Sequence, residues 1–142
     1  MRREEFFIEI IESLKESNEH IPVLVEGRRD MLSLREIGLK GKIIIYNQGK
    51  NIGEFVQEIS IYKEIIIMID WDERGKRLFN DLITNMKSMG IKCNVDFRNL
   101  IMKILKNNIR SVEELNSYYR RAETELLYGR PRNPAKHGNR RG

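Results

Sequence analysis

An α/β fold with a doubly wound, mainly parallel sheet is what this sequence predicts, and three observations carry the prediction. Four short apolar runs, in "IPVLVEG", "KIIIYNQG", "EIIIMIDWD" and "IKCNVDF", lack the polar alternation of a strand with one wet face. The first three are each followed by apolar residues at helical spacing, so strand and helix alternate. No proline- or glycine-rich linker divides the series, and right-handed crossovers then cover both faces of the sheet.

The elements follow in order. Residues 4–17 place Phe7, Ile10, Ile11 and Leu14 on one face of a helix that "NEHIP" ends. The first strand, within 21–27, stops at a carboxylate and a glycine. The apolar residues after it, Met31, Leu32, Leu34 and Ile37, fit a helix that closes at Gly38. The second strand leads into the weaker helical pattern "NIGEFVQEIS", and the third into "RGKRLFNDLITNMKSMG", stopped by Gly90. Beyond the fourth strand two helices are expected. One has Asp96 as its N-cap; the other has Ser111 and Glu114 in capping-box spacing and turns Leu115, Tyr118, Tyr119, Ala122 and Leu126 toward the core. Residues 1–128 read as one domain, with a core at 21–95 and a helical extension at 96–128.

Composition narrows the classes. The 142 residues contain no apolar run long enough to span a bilayer and no secretory leader pattern, so a cytoplasmic protein without membrane association is expected. One cysteine, Cys93, and two histidines, His20 and His137, do not make a nitrogen- or sulfur-ligated metal site, so any metal is hard and oxygen-bound. Cys93 itself reads as a small core residue. The net charge of +5 resides in the last segment, where Arg130, Arg132, Lys136, Arg140 and Arg141 stand without an acid. Residues 129–142 therefore read as a flexible basic tail suited to a polyanion or simply to solubility.

The chemistry concentrates at the strand ends, where open parallel sheets bind ligands. Glu26 ends the first strand; Asp70 and Asp72 end the third. Carboxylates gathered at one sheet edge repel, and the remedies are proton uptake, a basic partner or a divalent cation. Mg²⁺ suits them, with Mn²⁺ as a substitute, because it takes a few carboxylate oxygens and completes its shell with water and phosphate. Capping of the next helix is the plainer explanation of such acids. Against it stand the bases that follow: Arg28 and Arg29 after Glu26, then Arg74, Lys76 and Arg77 after Asp72. Cations at helix N-termini oppose the macrodipole, and a bound phosphodiester supplies a reason for them. Lys50 is within range of the same crevice, although a lysine in such a loop ordinarily stands in solvent. Asp30 is explained by its place at a helix start, and Trp71 reads as a packing residue.

"VLVEGRRD" together with "IIIMIDWDERGKR" resembles the two motifs of Toprim domains. These form the catalytic module of DnaG-type primases, type IA and type II topoisomerases, OLD-type nucleases and ribosomal-RNA maturases. Within that family the likeness is to small stand-alone archaeal Toprim proteins and to the Toprim-type maturases. The resemblance implies a Rossmann-like Toprim fold. It implies that Glu26 is the general acid or base of strand transfer and that Asp70 and Asp72 bind Mg²⁺. It also implies that Gly27 permits the turn after the first strand and that Gly75 opens the following helix. A topoisomerase or a complete primase needs machinery that these residues do not hold. The expectation is a Mg²⁺-dependent nuclease or RNA/DNA-processing factor; the alternative is a non-catalytic, metal- and nucleic-acid-binding subunit of a larger protein complex.

Overall fold

The computed structural model describes residues 1–46, 49–105 and 108–129. Most of the basic tail, His137 included, lies outside the described residues. In chain order the elements are α1 (Arg3–Asn18), β1 (Val23–Val25), α2 (Arg28–Ile37), β2 (Ile43–Ile45), α3 (Ile52–Ile59), β3 (Glu64–Ile67), α4 (Glu73–Ser88), β4 (Lys92–Asn94), α5 (Asp96–Leu105), a short 3-10 helix (Val112–Glu114) and α6 (Leu115–Tyr128). The strands lie in the order β2-β1-β3-β4, and every pairing is parallel.

Both faces of the sheet are covered, which is why its strands read as unbroken apolar runs. Val23, Val25, Ile66 and Met68 pack against Phe7, Ile11 and Leu14 of α1 and against side chains of α2, α5 and α6. Leu24, Ile65, Ile67 and Ile69 point the other way, onto Phe55 and Val56 of α3 and Leu82 and Met86 of α4. Ile65 through Ile69 are wholly buried. At about 1.5–3 kcal/mol for each large aliphatic side chain, this run fixes β3 as the centre of the fold. Gly38 closes α2 with φ 121°, a conformation that disfavours any side chain, as its place in the sequence predicts. The expected stripe on α6 packs as core from Leu115 to Ala122, while Leu126 is only partly buried: Tyr118 meets Phe7 edge-on, with ring centroids 4.8 Å apart.

Two caps differ from expectation. Asp96 is the first residue of α5 rather than its N-cap, and the Asn94 side chain accepts its N–H at 3.1 Å. Asn94, two residues before the helix, has the reach to take that N–H, and Asp96 serves as an acid of the first turn. Ser111 precedes the 3-10 helix, and its hydroxyl donates to the Glu114 carboxylate at 2.8 Å instead of capping a backbone N–H. The tighter turn there delays α6 until Leu115.

Candidate metal and phosphate site

The strand order locates a crevice. From β1 the chain crosses through α2 to β2 on one side; from β3 it crosses through α4 to β4 on the other. The two crossovers part between β1 and β3, and such a parting is where open α/β sheets hold ligands. Glu26 directly follows β1, and Asp70 and Asp72 follow β3. The third strand's apolar run continues past its ladder, since the Met68 N–H still donates to the Leu24 carbonyl at 2.8 Å. Asp70 is thereby carried to the same edge as Glu26.

Each acid has a defined environment. Glu26, 8% exposed, is gripped by both terminal nitrogens of Arg74 in a fork, Nη2 standing 3.0 Å from Oε1. Asp70, equally buried, accepts the Val112 N–H on Oδ1 at 2.8 Å. Burial pushes its pKa up to about 6 against that hydrogen bond, with further upward contributions from the charges of Asp30, Glu26 and Asp72. Asp72 caps α4, accepting the Gly75 N–H at 2.7 Å. Asp30, 7% exposed, accepts the Gly27 N–H at 3.1 Å, as befits a helix-start acid. Burial raises its pKa too, and Glu26 and Glu113 add to the rise. Asp30 thus belongs to the acidic cluster, a membership its place in the helix conceals.

The two glycines behave differently. A Cβ at Gly75 would run into the Asp70 carbonyl, so α4 can start this close to the strand end only from a glycine. Gly27 corrects an expectation. Its backbone is extended, and nothing lies within 4 Å of where a Cβ would stand, so the turn itself does not require glycine.

The candidate cations disperse. Arg74 joins Glu26, and its own pKa rises through that partner. Arg29 pairs with Glu113 at 3.5 Å on the surface, and Lys50 pairs with Glu58 of α3 rather than with an acid of the crevice. Arg28, Lys76 and Arg77 are exposed. Trp71 is 4% exposed and donates its indole N–H to the Ile109 carbonyl at 2.7 Å, the packing role expected of it.

A support not foreseen from sequence lies beneath the third strand's end. Arg98 of α5, 3% exposed, donates Nε to the Ile69 carbonyl at 2.6 Å and Nη2 to that of Asp70 at 3.0 Å. Its guanidinium lies 3.9 Å from the centroid of the Phe79 ring, and burial lowers its pKa against the pull of Asp70. The signal was its register: Arg98 shares the inner face of α5 with Ile101 and Leu105. The Trp71 N–H donates to the Arg110 carbonyl at 3.1 Å, so residues 109–112 clamp the same corner from a second side.

The donor chemistry fits a hard cation: oxygen only, largely buried, and electrostatically short of positive charge. The side chains are not gathered around one point. Among the described residues no three of His, Cys, Asp or Glu stand close enough to hold an ion, and Glu26 is turned to Arg74.

A family model described as Toprim-like matches residues 23–104, more than half of the chain, and includes Arg98 and most of α5. A UPF0292 protein of Methanocaldococcus jannaschii is 37% identical over 123 residues, covering 83% of this chain and 95% of its own. Another, of Thermoplasma volcanium, is 38% identical over 108 residues, 75% of this chain and 89% of its own. A solved structure of an Aquifex aeolicus protein superposes with a TM-score of 0.64 at 28% identity, over 75% of this chain and 94% of that one. With its sheet order, strand-end carboxylates and these likenesses, the chain belongs to the Toprim-like family and to its small UPF0292 proteins.

Proposed function

We propose that this protein acts on nucleic-acid phosphodiesters with Mg²⁺ as its cofactor, as a small nuclease or RNA/DNA-processing factor. The observation that carries the reading is that Glu26, Asp70 and Asp72 follow β1 and β3 where the crossovers part, with Arg74 forked onto Glu26. Asp70 and Asp72 would hold Mg²⁺, with Mn²⁺ as a substitute, and Glu26 would join them or remain the proton carrier. When bound, the metal would neutralise the phosphate oxygens and the charge that develops in an in-line displacement. Glu26, once released by Arg74, takes the proton of the attacking water or returns one to the departing oxygen. Arg74, once released by Glu26, has the fork that matches a phosphate. Arg28, Arg29, Lys76 and Arg77 flank the starts of α2 and α4 and attract the polyanion.

The engagement of Glu26 by Arg74 favours a second reading, a non-catalytic subunit that binds metal and nucleic acid. Calorimetric titration of Mg²⁺ and Mn²⁺ into the wild type and the Asp70→Asn/Asp72→Asn variant, with and without short RNA and DNA oligonucleotides, tests the common ground. Binding that needs the aspartates and tightens with one polymer supports the site; binding indifferent to them overturns it. Cleavage lost in Glu26→Gln with metal affinity kept marks the enzyme. Salt-sensitive binding without turnover, surviving EDTA, marks the subunit.

A further inference from the structure

A groove of about 460 Å³ opens beside Asp72, between the start of α4 and α5. Its volume falls within the range of about 300–1,000 Å³ that holds small organic ligands. Three cations line it: Lys76 from α4, Lys103 from α5 and Arg110 from the segment after α5. All three are exposed, and none forms a salt bridge with a described residue. Met102 and the buried Trp71 supply an apolar surface between them. Trp71 is core-packed, and its indole N–H is given to Ile109, so the small part of it that reaches the groove is apolar and Met102 supplies most of that surface. Glu73 and Asp72 are the acids of the lining, both from the beginning of α4, where the candidate metal site lies.

We infer that this groove binds a single-stranded segment of the nucleic acid, with phosphates on Lys103, Arg110 and Lys76 and a base laid against Met102 and Trp71. The inference rests on the function proposed above and adds the strandedness of its substrate and the path of the strand. Exposed cations alone would serve any polyanion. Cations around an apolar floor serve one that can turn its bases outward, which a duplex, its bases stacked and paired, cannot do. Asp72 stands in the lining of the groove, so a strand lying in it passes one of the three candidate carboxylates.

Fluorescence anisotropy of labelled short single-stranded RNA and DNA, and of the matching duplexes, tests this on the full chain over a range of salt. Lys103→Glu/Arg110→Glu, both at exposed positions, should weaken single-strand binding at least about tenfold. It should also lower the salt slope by about 1.4, since each single-strand phosphate contact contributes about 0.7. Lys40→Glu/Lys42→Glu, the same change of net charge at the opposite edge of the sheet, should leave both quantities nearly unchanged. Duplex binding equal to single-strand binding, or equal losses in the two charge-reversal variants, would overturn the groove. Should Lys103→Glu/Arg110→Glu bind single strands as the wild type does while oligonucleotides still tighten aspartate-dependent Mg²⁺ binding, the groove falls and the proposed function stands. If no oligonucleotide binds any variant or the wild type, both fall together.

Discussion

The two corners of the crevice are built on opposite principles. At the Asp70 corner the chain is held from beneath by Arg98 and from the side by residues 109–112, through hydrogen bonds of 2.6–3.1 Å to backbone groups that are themselves buried. At the Glu26 corner the carboxylate is equally buried, but its holder is a side chain 58% exposed at the solvent edge of α4. Buried hydrogen bonds to main chain set a position; an exposed ion pair contributes little and exchanges readily with solvent. One corner is therefore a fixed mount and the other a replaceable contact. The proposed function, which would keep metal ligands in place and yet release a proton carrier, calls for one of each.

The largest expected effect is at the mount. Arg98→Met keeps much of the volume against Phe79 but withdraws both donors from the Ile69 and Asp70 carbonyls. Leaving a buried carbonyl without its donor costs about 1–3 kcal/mol, and two are left here, offset in part because the guanidinium no longer has to be desolvated. Urea unfolding should show a loss of about 3 kcal/mol. Arg98→Lys keeps the charge but not the fork and should fall between the variant and the wild type. If Arg98→Met unfolds within about 0.5 kcal/mol of the wild type, the corner is held by packing and the contrast with Glu26 disappears.

The next effect has the opposite sign. With its pKa raised to about 6 from an ordinary 3.8, Asp70 binds a proton more readily folded than unfolded. The stability it contributes is thus present below about pH 4 and lost as pH rises through about 6. The ceiling is about 3 kcal/mol, since each tenfold gain in proton affinity is worth about 1.4 kcal/mol. In EDTA, Asp70→Asn should therefore be more stable than the wild type at pH 7, by about 1–2 kcal/mol, while still accepting the Val112 N–H through its amide oxygen. The advantage should vanish near pH 4. Added Mg²⁺ should stabilise the wild type and leave the variant unmoved. Urea titrations at the two pH values decide it, and a variant less stable at both would show that the carboxylate charge is a structural asset.

This asymmetry also governs what could be read from sequence. The fold was legible because Ile65–Ile69 and the runs paired with them are buried on both faces, and that demand is written locally in residue type. Glu26, Asp70, Asp72 and Gly75 were legible because each sits at a strand end or helix start, a place that short motifs mark. The mount was not. Arg98, Ile109 and Val112 act through distant backbone groups, and only the register of Arg98 on an apolar face carried a trace of it. Nor could spacing distinguish Arg74, which pairs with Glu26, from Lys76 two residues on, which lines the groove. Gly27 misled in the other direction, since the motif holds a glycine at a turn whose backbone any residue adopts.

The smallest effect on stability is the most informative about the replaceable contact. Arg74→Ala removes a pair with one exposed member, and such pairs are worth about 0–1 kcal/mol; the buried Glu26 left behind sets the sign as a modest loss. The functional consequence should be larger. Freed of its partner, Glu26 sits unneutralised near Asp70, Asp30 and Asp72, and the cluster's demand for an external cation grows. Mn²⁺ affinity, followed by calorimetry, should then rise several-fold even as oligonucleotide binding weakens. Both should fall together if Arg74 merely braces the crevice, and in that case Glu26 is as firmly mounted as Asp70. A rise in metal affinity alongside a fall in polymer affinity is the pattern expected of an arginine that stands in for one ligand of the site and grips the other.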